Sequence, residues 1–266
     1  MCIRDRYSAI TIQGNILTSD ILEKIRMEDI RYQTPKDFGL DKRTTLREEI
    51  GIAWAAAKAH WQAFTLRRAQ LKETDAGTSE TRQSWMLPVL RELGYDLEKS
   101  PAETINGKSY AISHRAVNLG NFPVHIAGVN QSLDKRAEIG GPRLSYALVQ
   151  EYLNQSEHLY ALATNGRYLR VLRDATRLAR LSYLEFDLER ILLDDLFAEF
   201  ALLFRALHVT RMPASMEGGA ESIIEWYHQD ALASGSRIWE RLSGAVEEPL
   251  KLLANGLLRH PANEAL

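Results

Sequence analysis

The segment Tyr160-Ala-Leu-Ala-Thr-Asn-Gly-Arg-Tyr-Leu-Arg-Val-Leu-Arg173 is the strongest structural signal in this chain, because it predicts two antiparallel strands joined by a tight turn. The Asn165-Gly166 dipeptide favours a two-residue type I′ turn, in which both central residues need a positive φ. Such a turn would place Leu162 opposite Leu169 and Tyr160 opposite Val171, which gives the hairpin one continuous apolar face. We therefore expect the hairpin to pack against another layer of the protein.

The opposite face of this hairpin is predicted to be basic, because arginines alternate with apolar residues along the second strand. Arginines on a strand surface bind phosphate groups, but an ordinary solvated strand face explains the same pattern, and both interpretations stay open. Between residues 165 and 181 a single acid, Asp174, accompanies Arg167, Arg170, Arg173, Arg177 and Arg180.

The composition limits the classes of function. A chain of 266 residues with 45% hydrophobic residues can bury a sizeable core in one or two domains. Its net charge of −2 argues against binding nucleic acid by overall charge, so any DNA contact has to be local. The single cysteine, Cys2, excludes an intramolecular disulfide. Since there is no apolar run of about 18 residues and no secretory signal, we expect a cytoplasmic protein without a membrane partner.

Helical periodicity dominates the first part of the chain. A long amphipathic helix is predicted over residues 44–72, capped by Thr44 or Thr45 together with Glu48. A second helix should begin at Ser79 or Glu80 and continue to Leu93, with Pro88 producing a kink.

Extended and helical segments alternate in the remainder, which predicts an α/β fold with a mixed β-sheet flanked by helices and a helical C-terminal extension. In addition to the hairpin, strands are predicted at 109–114, 122–127 and 181–187. Helices are predicted at 143–155, from Leu188 onward, and at 220–258. The last of these helices should be interrupted at Gly235 or Gly244 and at Pro249. The predicted parts are an N-terminal leader and irregular segment at 1–40, an α/β domain at 41–210 and the helical extension at 211–266.

Several motifs carry a family resemblance. The helix that contains Gln150, the strand that ends in Thr164-Asn165-Gly166 and the arginine-rich strand after it resemble the nuclease-like N-terminal region of large adenine-specific DNA methyltransferases of the type IIG, BREX and DISARM kind. The segments Thr81–Tyr95, Pro123–Ile126 and Tyr183–Glu189 agree with it, so the resemblance covers roughly residues 45 to 262.

The resemblance implies a degenerate PD-(D/E)XK nuclease-like fold in a restriction-modification or phage-defence protein. It also implies a C-terminal methylase domain of the same polypeptide after Leu266, with S-adenosylmethionine as the cofactor of that domain. This chain contains neither a glycine-rich turn for that cofactor nor a tetrapeptide that holds a flipped adenine. We therefore expect no cofactor in this chain, and we expect duplex DNA and the methylase domain as its partners.

The nuclease chemistry of such a fold needs an aspartate on one strand and Glu-x-Lys on the next, because Mg²⁺ prefers oxygen ligands. Here Ser113 or His114 and His125-Ile126-Ala127 correspond to those positions, and no acid lies between Glu103 and Asp134. We therefore predict neither a magnesium centre nor catalysis.

Two groups of residues leave a metal hypothesis open. His114 and His125 are predicted to face each other across adjacent strands, either as a transition-metal pair or as a hydrogen-bonded polar pair. Glu185, Asp187 and Glu189 are candidate metal ligands by their alternate spacing, but Asp187 also suits a helix N-cap and Glu189 a first helical turn.

The first functional hypothesis is therefore a DNA-contacting or docking domain, with Arg167, Arg170, Arg173 and Gln150 as the DNA-binding residues. The second is a divergent magnesium-dependent endonuclease that uses Glu103, Asp134 or the acids at 185–189. The third is a structural docking module for another subunit, with Trp226, Tyr227 and Trp239 as contacts.

Overall fold

The computed structural model describes residues 7–14, 16–41, 43–134, 145–174, 182–214 and 217–258. In this part of the chain a seven-stranded mixed sheet lies between two helical layers, which confirms the predicted α/β class with a mixed sheet flanked by helices. The strands are β1 (Ile10–Gln13), β2 (Leu97–Lys99), β3 (Glu103–Ile105), β4 (Lys108–Tyr110), β5 (His114–Ala116), β6 (Phe122–Ile126), β7 (Tyr160–Thr164), β8 (Tyr168–Arg173) and β9 (Tyr183–Asp187).

The order of strands in the main sheet is β1-β9-β8-β7-β6-β5-β2. Only β6 and β7 are parallel among these neighbours, because a helix connects them, and every other pair is antiparallel. Strands β3 and β4 form a separate two-stranded sheet. The predicted single strand at 109–114 is wrong, since these residues span the end of β4, a bend and the start of β5.

The helices are α1 (Ser19–Arg26), α2 (Leu46–Arg68), α3 (Thr78–Glu80), α4 (Leu87–Glu92), α5 (Ser145–Gln155), α6 (Leu188–Leu193), α7 (Phe197–Leu207) and α8 (Ile223–Leu258). Helix α2 begins with the predicted capping box of Thr45 and Glu48. Pro88 lies in the first turn of α4, and the helical path before it widens into a π-helical turn at Thr81–Met86. The interruptions predicted in the last helix are wrong, because α8 is continuous through Gly235, Gly244 and Pro249.

The two faces of the sheet pack against different cores. One face, with Val124, Leu162 and Val171, packs in the larger core together with residues of α1, α2, α4, α7 and α8. The other face, with Ala163 and Leu172, packs against α5. Since successive strand residues point to opposite faces, each residue of the hairpin is assigned to one core or the other.

The hairpin forms as predicted, but its register is displaced by two residues. Leu162 pairs with Val171 rather than Leu169, and Tyr160 pairs with Arg173 rather than Val171. A shift of two residues keeps each side chain on its face, so the predicted apolar face is retained.

The turn between β7 and β8 explains the displaced register. Gly166 has φ of 81°, whereas Asn165 is not among the residues with positive φ, so the predicted type I′ turn is wrong. The Asn165 side-chain oxygen instead accepts hydrogen bonds from the backbone N–H groups of Arg167 and Tyr168, at 3.1 and 3.0 Å. This local bonding lies in a four-residue loop, because Thr164 and Leu169 are the last paired residues.

The described parts of the predicted leader and of the predicted extension belong to the same fold. Strand β1, from the segment predicted to be irregular, pairs with β9 at the sheet edge. The first turns of α8 place Ile224 and Tyr227 in the larger core. Segment 7–41, apart from residue 15, and the start of α8 therefore contribute to the core that supports the sheet.

Candidate functional site

Strands β5 and β6 occupy the positions where the resemblance would place the magnesium carboxylates. His114 is 1% exposed, and its Nδ1 lies 2.8 Å from the Ser113 hydroxyl, which accepts a hydrogen bond from the Ile126 N–H. The register pairs His114 with Val124, so alternation places His125 on the opposite face. The prediction that the two histidines face each other is therefore wrong.

Both histidines are neutral near pH 7. Burial, followed by the nearby Arg82 guanidinium, lowers the pKa of His114 and of His125 to about 4. Arg82 donates two hydrogen bonds to the Ile126 carbonyl, at 2.9 and 2.8 Å, which fixes its charge beside these strands. A fixed cation and two neutral imidazoles do not fit Mg²⁺, which needs anionic or carbonyl oxygen ligands.

The acids that a divergent nuclease would recruit are bound to arginines. Asp134 accepts two hydrogen bonds from Arg170 at 2.5 and 2.7 Å, and Glu185 accepts one at 2.5 Å. Glu103 accepts from Arg115 at 2.9 Å. Among the described residues, no three His, Cys, Asp or Glu side chains are grouped so that they could hold a metal ion.

Of the remaining carboxylates, Asp187 is the N-cap of α6 and accepts from the Arg190 N–H at 3.0 Å. This confirms the capping interpretation of Asp187. Glu189, in the first turn of α6, accepts from Arg68 at 2.6 Å. Both acids therefore have structural partners.

Arg170 does not lie on a solvated strand face. It is 3% exposed, because it points to the α5 side of the sheet, and Asp134 and Glu185 bind its guanidinium. The Tyr183 ring lies 4.3 Å from the guanidinium carbon, and the Tyr146 ring lies 5.6 Å away. Each guanidinium nitrogen of Arg170 donates to a carboxylate inside the protein, so the predicted contact of Arg170 with DNA has no support in this geometry.

Arg173 and Gln150 also have internal partners. Arg173 donates to both carboxylate oxygens of the buried Glu225, each at 2.9 Å, on the face of the larger core. Gln150 donates to the backbone carbonyl of Arg173 at 3.1 Å, which attaches α5 to β8. The structure thus gives both residues roles in packing, and their predicted contact with DNA has no support in this geometry.

Arg167 is the most accessible of the three predicted arginines and lines a cleft of about 860 Å³, which we call the hairpin cleft. The cleft lies beyond the C-terminal ends of the parallel strands β6 and β7, which is where α/β folds commonly bind ligands. Its walls are the end of α2, the loop 129–134 and the hairpin tip, and they include Arg68, Leu71, Lys72, Glu73, Asn165, Arg167 and Tyr168.

Buried contacts hold the hairpin tip in place. The Trp85 indole N–H donates to the Gly166 carbonyl at 2.7 Å, and the Asn165 amide donates to the Gln131 carbonyl at 2.8 Å. The Leu188 N–H, at the start of α6, donates to the Arg167 carbonyl at 2.7 Å. The backbone that carries Arg167 and Tyr168 is therefore rigidly positioned at the cleft.

Cationic side chains from two distant segments meet at this cleft. Arg68 and Arg167 have side-chain exposures of 24% and 36%, and Lys72 is exposed. The predicted helix 44–72 contains Arg68 and Lys72, but no local pattern in the sequence brings residue 68 next to residue 167. Arg177 and Arg180 lie outside the described residues.

The aromatic residues suggested for subunit docking are largely internal. Tyr227 is fully buried and donates to the Arg31 carbonyl at 2.8 Å. The Trp226 ring contacts the Tyr32 ring edge-on, with centroids 5.4 Å apart. The side chain of Trp239 lies outside the described part of α8.

Within the described ranges, no helix combines the length and apolar character that crossing a bilayer requires. No protein-family model, no curated protein and no solved structure matches this chain.

Proposed function

We propose that this chain is a DNA-contacting domain that binds the phosphate backbone of duplex DNA through the hairpin cleft and has no nuclease chemistry of its own. The observation that carries the proposal is the convergence of Arg68, Lys72 and Arg167 on one open cleft. Arginine and lysine side chains that remain accessible supply the sequence-independent part of DNA affinity.

The chain order of the elements supports a nuclease-like origin. Strands β5 and β6 precede the glutamine-bearing helix α5, which is followed by β7 and the Thr164-Asn165-Gly166 turn. This is the order that the family resemblance implies. A neutral His114, a neutral His125 and the Arg82 cation replace the carboxylate pair, so the fold is proposed as a degenerate PD-(D/E)XK scaffold that binds without cutting.

The local charge decides where DNA binds. With a net charge of −2, the whole surface does not attract a polyanion, and a few accessible cations have to supply the contact. The hairpin cleft offers three of them, against the acids Glu73, Asp134 and Glu189 nearby. We therefore expect weak affinity that depends strongly on salt concentration.

The same proposal covers the parent protein. In the parent protein, the chain docks against a C-terminal methylase domain of the same polypeptide. That domain uses S-adenosylmethionine to methylate adenine in a restriction-modification or phage-defence system. The family resemblance alone supports this step. Co-purification of this chain with a separately expressed methylase domain from the same reading frame tests it.

Binding of a fluorescent duplex oligonucleotide, measured by anisotropy at low salt, tests the DNA contact. Lys72→Ala and Arg167→Ala should each weaken binding by roughly threefold to tenfold, since each removes about one phosphate contact. Lys36→Ala is the matched control, because Lys36 is an exposed lysine on the 3₁₀ turn Pro35–Phe38, away from the cleft lining.

Two results would contradict the proposal. One is an affinity that neither cleft variant changes relative to Lys36→Ala. The other is cleavage of plasmid DNA by the purified protein in the presence of Mg²⁺, with loss of cleavage in Asp134→Asn or Glu185→Gln, which would favour the divergent endonuclease.

A further inference from the structure

Glu189 bridges two of the three cations of the hairpin cleft. One carboxylate oxygen accepts from the Arg68 Nη1 at 2.6 Å, and the other lies 3.7 Å from the Arg167 Nε. Arg68 comes from the end of α2 and Arg167 from the hairpin tip, so a single carboxylate joins the two walls of the cleft. Its charge offsets part of the positive potential that the proposed function requires.

The position of Glu189 is fixed by the backbone. Asp187 caps α6, and this places Glu189 in the first turn of that helix. The Leu188 N–H donates to the Arg167 carbonyl at 2.7 Å, and the Glu189 N–H approaches the same oxygen at 3.4 Å. The carboxylate therefore cannot move far from the Arg167 side chain while α6 and the hairpin stay docked.

The contact with Arg167 is incomplete. The Arg167 Nε is buried and has no hydrogen-bond partner among the described residues, although the Glu189 carboxylate lies beyond it at 3.7 Å. An unpaired buried donor is unfavourable, so the contact of Arg167 with Glu189 is weaker than the hydrogen bond that Arg68 donates to Glu189. Since the three side chains are 24–36% exposed, a ligand oxygen can reach the exposed parts of the two guanidinium groups from the cleft.

We propose that Glu189 is an internal competitor of the DNA phosphate: it occupies the Arg68 and Arg167 guanidinium groups in the free protein, and DNA has to displace it to bind. This inference rests on the proposed function and adds its regulation. A phosphate oxygen has the same charge sign and acceptor geometry as the carboxylate, so both bind the same donors. In the free protein the competition lowers the affinity of the hairpin cleft for DNA.

The test compares Glu189→Gln with wild type and with Asp194→Asn in the duplex-binding assay across a salt series. Asp194→Asn is matched in charge change, since Asp194 pairs with Arg190, four residues earlier, and does not line the hairpin cleft. Glu189→Gln should bind DNA more tightly than wild type, with a gain about threefold larger at about 50 mM than at about 200 mM salt, because roughly one more phosphate contact forms. Asp194→Asn should produce less than half of this gain.

A second variant keeps the result interpretable. Adding Arg68→Ala to Glu189→Gln should abolish most of the gain, since it removes one of the two released cations. If wild type binds with the expected salt dependence but Glu189→Gln binds equally or more weakly, Glu189 positions the arginines and the competition is overturned while the proposed function stands. If neither protein binds duplex DNA, both proposals are overturned. If Glu189→Gln binds duplex DNA and wild type does not, Glu189 excludes DNA from the arginines in the free protein, which supports the competition.

Discussion

Two Asn-Gly dipeptides join neighbouring strands in this molecule, and they form different turns. Asn106-Gly107, between β3 and β4, has positive φ at both residues, 51° and 76°, and pairs Ile105 with Lys108 across a two-residue loop. This is the type I′ geometry that the dipeptide favours. Asn165-Gly166, between β7 and β8, has positive φ only at the glycine and lies in the four-residue loop between the paired residues Thr164 and Leu169.

The surroundings of the two turns account for the difference. Asn106 and Gly107 are exposed, and an added Cβ at Gly107 would meet nothing within 4 Å. Asn165 is 3% exposed, and the Trp85 indole donates to the Gly166 carbonyl. The conformational preference of the Asn-Gly dipeptide therefore determines the turn geometry at Asn106-Gly107, where few tertiary contacts compete. At Asn165-Gly166, beside the hairpin cleft, buried hydrogen bonds determine the turn geometry.

Substitution of the two glycines should separate the turns most strongly. Gly166→Ala should destabilise the protein by about 2–5 kcal/mol, because alanine is strained at positive φ and its Cβ would lie 2.9 Å from the Thr81 methyl group. Gly107→Ala carries only the backbone strain, about 1 kcal/mol. Urea unfolding followed by circular dichroism measures both, and equal losses would show that the two turns are equally free of tertiary contacts.

Acid should also distinguish the turns. The pKa values of His114 and His125 are lowered to about 4 in the folded protein by burial, against an ordinary value of 6.5. The unfolded chain therefore takes up protons first, so stability is complete above about pH 6.5 and falls by up to about 3 kcal/mol for each histidine as the pH approaches 4.

Hydrogen exchange reports this loss at each turn. The Gly166 amide donates to the buried Thr164 hydroxyl at 3.0 Å, so its exchange should require global opening and its protection should fall with pH. The exposed Gly107 amide should exchange rapidly throughout, after correction for the intrinsic rate. Protection at Gly166 that does not change between pH 6.5 and 4 would contradict the assigned neutral histidines.

The indole bond to the buried turn should contribute less. Trp85→Phe keeps an aromatic ring beside Phe64, with which Trp85 stacks, and removes the donor to the Gly166 carbonyl. We expect a loss of about 1–3 kcal/mol, because the carbonyl remains buried without that partner. Trp226→Phe is the control, since Trp226 is half-buried and its indole donates no hydrogen bond to any described residue. A loss as large as that of Trp85→Phe would argue for ring packing instead.

Replacement of the two asparagines by glycine should have the smallest effect on stability, and the loss should be larger at Asn165 than at Asn106. Asn106→Gly should change stability by less than about 0.5–1 kcal/mol, because glycine adopts positive φ readily. Asn165→Gly should cost about 1–2 kcal/mol, since it removes the acceptor of two backbone N–H groups and the donor to Gln131. Thermal unfolding of both variants checks this, and an Asn165→Gly variant as stable as wild type would remove the side-chain bonds from the explanation.

The sequence was sufficient for those features that depend on periodicity and local capping. The α/β class, the hairpin, the capping box of α2 and the Asp187 N-cap follow from spacing and residue type. The hairpin register does not follow from spacing and residue type, because Asn165 binds its own loop backbone and Trp85, 81 residues before Gly166, donates to the turn. The turn at Asn106-Gly107, which obeys the local rule, was not predicted as a hairpin.

The candidate site shows the same limit. Alternation placed Arg170 on one face of the hairpin, but it does not reveal that α5, Asp134 and Glu185 cover that face. Arg173 is similarly bound by Glu225, which is 52 residues later in the sequence. Conversely, Arg68 and Lys72 join Arg167 only because α2 ends beside the hairpin tip. Which arginines remain accessible is therefore a property of the packed layers.

The salt dependence of duplex binding tests the central claim most directly. For wild type, the logarithm of the association constant should fall linearly with the logarithm of salt concentration, and the slope of the double variant Lys72→Ala, Arg167→Ala should be shallower by about 2, one for each lost phosphate contact. The Lys36→Ala slope should equal that of wild type. A slope that the double variant leaves unchanged would contradict DNA binding at the hairpin cleft.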